Sequence, residues 1–215
     1  TTSDVITMVH EGGHAVHSFL THPLPITGFK NFPSEVAELA SMSMELLTME
    51  HWHLIYTDPE ELRRAKRDQL ERVLSILPWV ATVDAFQHAI YTHPEWTIKE
   101  RSKAWVEIHQ RFGGDVVDWS GLDKVRATLW HKQLHIFEGP FYYIEYAIAQ
   151  LGAIGVWRNY KKNPTEALHM YTDALKLGYT RTLPEIYAKA GISFDLSVSN
   201  VHELITFVRE ELDRL

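Results

Sequence analysis

The chain has 215 residues, 45% of them hydrophobic and 12% aromatic, enough for one large core with room for an appended helical part. A formal charge of −7, with no Lys/Arg run longer than three, argues against a nucleic-acid partner and against an anionic membrane surface. The absence of cysteine excludes disulfides, thiolate metal sites and a cysteine nucleophile, and fits a reducing, cytoplasmic setting. No secretory signal is legible at the start, and no apolar run reads as long enough to span a membrane. The chain opens almost directly on its most chemically loaded motif, so it reads as a piece of something longer.

Apolar spacing is helical nearly everywhere, which predicts an all-α fold. Thr2 or Ser3 can cap a first helix running to about residue 21, and "HPLPITGFKNFP" then breaks it by composition. Ser34 can cap a second helix through "EVAELASMSMELLTMEHWHLIY", and Asp58-Pro59 opens a third in "PEELRRAKRDQLERVLSIL". Pro78 is expected to kink or interrupt that helix before "WVATVDAFQHAIYTH". Thr97 heads the next helix and Gly113-Gly114 ends it. "DVVDWSGLDKVRATLWHKQLHIFEG" is the least regular stretch, and four further helical segments, starting at "PFYYIEYAIAQLGAIGVWRNY", complete the chain.

The chemistry starts in "MVHEGGHAVHSFL", residues 8 to 20, where two adjacent glycines sit inside a helical pattern at roughly 1 kcal/mol each relative to alanine. His10 and His14 are four apart and so share one helix face, where two neutral imidazoles can hold one zinc ion. Glu11 points about 100° round the helix, beside the metal, where a general base for a metal-bound water belongs. A zinc hydrolase needs a third protein ligand and an open fourth position. No third histidine stands at the short spacing, since Leu20 occupies that place, and the second helix offers Glu35, Glu38, Glu45 and Glu50 instead. Small Ala40, Ser41 and Ser43 would let that helix come close. Gly13 would offer it a surface without a side chain, and Gly12 would leave room for a substrate backbone.

"HEGGHAVH" followed by "EVAELASMSMELL" resembles the signature of the oligoendopeptidase F and thimet oligopeptidase family of zinc metallopeptidases, more closely the oligoendopeptidase F branch. That family carries H-E-x-G-H-x-x-H, then a glutamate about 24 residues on in A-E-x-x-S, and a second glutamate seven further. Ala37-Glu38, Ser41 and Glu45 fit. The resemblance implies a multi-helical zincin-like catalytic domain with zinc between two packed helices, His10, His14 and Glu38 as ligands, and Glu11 as catalytic base. It makes Glu45 an orienting partner for a ligand histidine, and His17 either a neighbour of the ligands or a residue on the substrate side. It continues in "HIFEGPFYYIEYAIAQLGA", where His135, Tyr143 and Tyr146 fit the family's hydrogen-bond donors to the tetrahedral oxyanion and Tyr142 is a neighbour. The spacing from His135 to the tyrosines fits thimet oligopeptidase only with a one-residue shift, and one further tyrosine of that pattern has no counterpart near Pro140 or Phe141.

By this resemblance residues 1–215 are the C-terminal part of a catalytic domain whose N-terminal part is absent, acting on short peptides held in a deep channel. The expected activity is zinc-dependent endopeptidase. The alternatives are a zinc carboxypeptidase and, from a different class, a non-catalytic helical scaffold or binding module with a vestigial zinc site, which an intact Glu11 argues against. Elsewhere, Glu50, His51, Trp52 and His53 read as a partly buried aromatic turn rather than a second metal site. "LRRAKRDQLER" reads as a solvated face or a contact with the absent part, the methionines of "MSMELLTM" as core, and Gly113-Gly114-Asp115 as no phosphate loop.

Overall fold

The structure, a computed structural model, describes residues 1–114 and 116–215; Asp115 of the Gly-Gly-Asp stretch lies outside the described residues. Among the described residues there is no strand, and the helices follow in order: α1 (Thr2–Thr21), α2 (Ser34–Thr48), α3 (Pro59–Thr92), α4 (Ile98–Gly113), α5 (Asp123–Thr128), α6 (His135–Glu138), α7 (Ile144–Lys162), α8 (Pro164–Leu175), α9 (Leu183–Lys189) and α10 (Val198–Asp213). The all-α expectation holds. The chain forms two compact units, one from Thr1–Leu74 with Ile148–Leu215, the other from Ser75–Ala147, with α3 and α7 each contributing to both.

Local chemistry explains most helix ends. Thr1, not Thr2 or Ser3, caps α1 in a capping box with Asp4. Asp58 Oδ1 accepts from the backbone N–H of Glu60 and Glu61, each at 2.9 Å, and so starts α3. Thr97 and Glu100 form the capping box of α4, and Gly114 ends it with φ 66°. The second helix departs from expectation: Pro33 occupies its cap position, and the α-helix stops at Thr48 and tightens into a 3₁₀ turn over Met49–Leu54. α7 also starts later than the sequence pattern predicts, at Ile144, because Pro140 and Phe141, the latter at φ 55°, hold the preceding loop outside helical geometry.

Pro78 does not interrupt α3, which runs unbroken from Pro59 to Thr92. Proline removes one helical hydrogen bond at roughly 3 kcal/mol. The bond lost is the one to the Leu74 carbonyl, at the last residue of the first unit's N-terminal stretch. Burial on both sides outweighs that loss: Leu70 and Val73 before it and Val80, Val83 and Phe86 after it are at most 2% exposed. The expectation of no membrane-length apolar run also needs correction. α3 contains a window of mean hydropathy 1.3 that is long and apolar enough by length and composition to cross a membrane. Within α3, Val80, Val83 and Phe86 are buried in the core of the second unit, with Ile76, Trp79 and Ile90 packed against it.

In the first unit α2 is almost entirely interior. Val36, Leu39 and Ala40 are fully buried among Val156 of α7, Tyr171, Ala174 and Leu175 of α8, and Ile186 and Tyr187 of α9. The Tyr171 hydroxyl donates to the Ala40 carbonyl at 2.7 Å, giving that buried phenol a partner. Lys161 bonds Glu50 at 3.2 Å and Glu211 at 3.0 Å, tying α10 and the 49–54 turn to α7. Trp52 in that turn is 1% exposed while His51 and His53 project outward, the aromatic turn expected. The stretch expected as a solvated face is only partly so, since Ala65, Gln69 and Leu70 are buried.

The second unit packs Val80, Val83 and Phe86 of α3 against Trp105 of α4, Trp130, Ile136 of α6 and Tyr143. Phe86 meets Trp105 edge-on with ring centroids 5.2 Å apart and Trp130 at the same distance. The Trp105 indole N–H donates to the Arg126 carbonyl at 3.0 Å. This aromatic core is what gives the short helices of the irregular stretch a place to sit.

Candidate metal centre

The helical spacing of His10 and His14 places both imidazoles on one side of α1, with ring centroids 4.9 Å apart and planes nearly perpendicular. α2 can reach them because of Gly13. A Cβ at that position would lie 2.5 Å from Ser41 Cα and 2.7 Å from the Ala40 carbonyl oxygen, both backbone atoms that cannot yield. The neighbouring Gly12 meets nothing within 4 Å and faces open space.

At that close approach Glu38 arrives on the histidines. Its carboxylate oxygens stand 3.4 Å from His10 Nε2 and 4.0 Å from His14 Nε2, and one ligand atom from each of the three residues falls within 4.8 Å of the others. The Ser41 hydroxyl donates to Glu38 Oε2 at 3.0 Å and so steers the carboxylate. Glu45, two turns further along α2, holds His10 from behind, with Nδ1 2.6 Å from Glu45 Oε1. Gln69 of α3 in turn donates to Glu45 Oε2 at 2.7 Å. The Glu45 hydrogen bond, foremost, holds the His10 imidazole above its ordinary pKa, against the opposing effect of burial.

This donor set fits zinc. With Nδ1–H given to Glu45, His10 presents its Nε2 lone pair toward the Glu38 carboxylate, so two acceptors face one another across a gap that a cation would satisfy. Two imidazole nitrogens and one carboxylate oxygen are the ligand types of a catalytic zinc site that keeps one position open. Glu38 and Glu45 are only 12% and 13% exposed, which restricts competing water, while the histidine side chains are 24% and 31% exposed and stay reachable. Glu11, one residue past His10, is exposed.

Other sequence-predicted residues fall elsewhere. His17 is 0% exposed and stacks on Phe32 at 3.6 Å, so it is interior rather than on an open substrate face. Three residues past His14, it has turned toward the interior that Gly13 shares. Burial, foremost, pushes its pKa down to about 4. Glu35 contributes its backbone carbonyl, which lies 3.5 Å from the Tyr187 hydroxyl.

His135 and the tyrosines gather in the second unit. His135 Nε2 is 3.2 Å from the Tyr146 hydroxyl, and its ring stacks on Tyr142 at 5.7 Å and meets Tyr143 at 5.0 Å. Burial pushes the Tyr143 phenol up, with hydrogen bonds to Trp79 and Gln133 opposing it. Gln87 of α3, 0% exposed, donates to the Gly139 carbonyl at 3.0 Å and steadies the turn after α6.

Sequence reasoning passed over three glutamines, Gln69, Gln87 and Gln133. No motif marks them. The available signal was a polar residue on the buried stripe of α3, where Gln69 sits beside Leu70 and Gln87 beside Phe86.

The profile of peptidase family M3 matches residues 1–199. The chain is 24% identical to the oligoendopeptidase F homolog of Borreliella burgdorferi over 81% of its own length and 30% of that protein. To oligopeptidase PepF of Bacillus subtilis it is 24% identical over 99% of its length and 32% of that protein. A solved structure of Pz peptidase A with an inhibitor superposes on 100% of this chain and 38% of its own, at 29% identity and a TM-score of 0.92. The chain spans about a third of the length of the curated relatives it matches. It belongs to peptidase family M3.

Proposed function

We propose that this chain carries the metal ligands and the catalytic base of a zinc-dependent endopeptidase that hydrolyses short oligopeptides. It would be the C-terminal part of that enzyme's catalytic domain and work with an upstream part of the same protein. The observation that carries the reading is the convergence of His10, His14 and Glu38 within 4.8 Å, with the exposed Glu11 on the same helix turn. Zinc bound there would polarise the scissile carbonyl and acidify the attacking water.

The chain's own residues supply the rest. Glu45 keeps His10 in the tautomer whose Nε2 is a ligand, and Ser41 aims Glu38. Glu11, which no ligand role consumes, takes the proton from the attacking water and passes it to the leaving amine. Gly12, open on its outer side, lets a peptide backbone lie along α1. His135, Tyr143 and Tyr146 make up the cluster from which hydrogen-bond donors to the tetrahedral oxyanion come. A structural or vestigial metal site would need no exposed carboxylate beside its ligands, so the scaffold reading has less support.

Glu11→Gln in the natural protein that contains this chain is the test. Zinc content by native mass spectrometry should stay at one per chain, while turnover of a quenched-fluorescent peptide falls by about 10² to 10⁴. Unchanged turnover would end the mechanism, and loss of zinc together with turnover would make Glu11 structural.

A further inference from the structure

Four side chains of the second unit form an unbroken polar line. The Trp79 indole Nε1 donates to Gln133 Oε1 at 3.1 Å, Gln133 Nε2 is 2.7 Å from His135 Nδ1, and His135 Nε2 is 3.2 Å from the Tyr146 hydroxyl. An indole N–H can only donate. It therefore sets which end of the Gln133 amide faces Trp79, because the flipped amide would put its NH₂ 3.1 Å from another donor. The NH₂ must then face His135, where it donates to Nδ1. A neutral imidazole has a single N–H, so that hydrogen sits on Nε2 and points to the Tyr146 oxygen. Tyr146 accepts it, and its own hydroxyl hydrogen is directed away from His135.

We propose that Trp79 and Gln133 are positioning residues that lock His135 as the Nε2–H tautomer, with that hydrogen committed to the Tyr146 hydroxyl. The assignment rests on the peptidase reading above for its catalytic meaning. His135 has one hydrogen and spends it on Tyr146. A hydroxyl that accepts a hydrogen bond is polarised into a stronger donor, which suits a task of stabilising developing negative charge. The ring has little freedom to abandon this arrangement. It lies between contacts with Tyr142 and Tyr143, and Gln87 holds the backbone of the same turn through the Gly139 carbonyl.

The test reads the tautomer directly. In ¹⁵N-histidine-labelled protein, with the His135 signals assigned by their loss in His135→Gln, Nε2 should show the shift of a protonated ring nitrogen and Nδ1 that of an unprotonated one. Gln133→Glu keeps the shape but replaces the donor with an acceptor, so Nδ1 should become protonated and the pattern should reverse. Under the peptidase reading kcat for peptide hydrolysis should drop on the order of a hundredfold with KM little changed. Gln133→Met, which offers no donor, should give mixed tautomers and an intermediate kcat. A wild-type His135 protonated on Nδ1 alone, or a Gln133→Glu spectrum identical to wild type, would overturn the proposal. Wild-type protein that shows the expected nitrogen pattern but cleaves no peptide would support the tautomer lock and overturn the peptidase reading.

Discussion

In the first unit the metal-ligand candidates come from two long helices, and their placement follows from helical spacing plus one close backbone approach at Gly13. In the second unit His135 stands on the four-residue α6 after an irregular stretch, and its orientation comes from Trp79 and Gln133 on separate elements. The first arrangement is stiff because the supports are rigid and the side chains have little to decide. The second is stiff only through its hydrogen bonds, each of which sets the next. A catalytic group can thus be positioned by backbone regularity or by a chain of donors and acceptors, and the two should fail differently under substitution.

Gly13→Val should have the largest effect and the sharpest regional limit. Its branched side chain would collide with the Ala40 and Ser41 backbone, so α1 and α2 must part. We expect a loss of about 1–3 kcal/mol in stability, loss of stoichiometric zinc, and faster amide exchange across Ser34–Thr48. Exchange within Ser75–Ala147 should barely change; equal loosening of both units would break the comparison. Gly12→Ala is the matched control, with no contact to violate. It should keep zinc and gain up to about 1 kcal/mol from helix propensity.

The next effect separates burial from ligation among the α1 histidines. His17 titrates near 4 when folded and at its ordinary 6.5 when unfolded, so the unfolded chain binds more protons between those values. Its contribution is intact above pH 6.5 and is lost as pH falls toward 4, by roughly 3 kcal/mol at most. Melting curves taken in chelator, so that metal release adds nothing, should show a shallower acid slope for His17→Phe than for the wild type. Equal slopes would mean that His17 is not held neutral by its surroundings.

Smaller effects grade the support behind His10. Glu45→Gln should weaken zinc binding by about 10- to 100-fold in a competitive chelator titration, because the imidazole loses its anionic partner. Gln69→Leu removes only the group that orients Glu45 and should cost less than Glu45→Gln. An equal or larger loss for Gln69→Leu would show that the first unit also depends on a hydrogen-bond chain, and the contrast between the units would narrow.

The sequence by itself determined the helical class, the capping of α4, the start of α3 and the pairing of His10 with His14, since all of these follow from interactions within a few residues of the same segment. It narrowed the third ligand to four glutamates of one helix but required a resemblance to choose Glu38. Only the tertiary structure shows Glu38 arriving on both histidines, because that depends on how α1 and α2 approach at Gly13. The unbroken passage of α3 through Pro78 was likewise beyond local reading, since propensity weighs one lost hydrogen bond while packing weighs five buried side chains. His17 looked like a site residue by motif and is an interior one by burial. Gln69, Gln87 and Gln133 left no mark in the sequence, because an amide acquires its role from whichever donors and acceptors the fold brings to it.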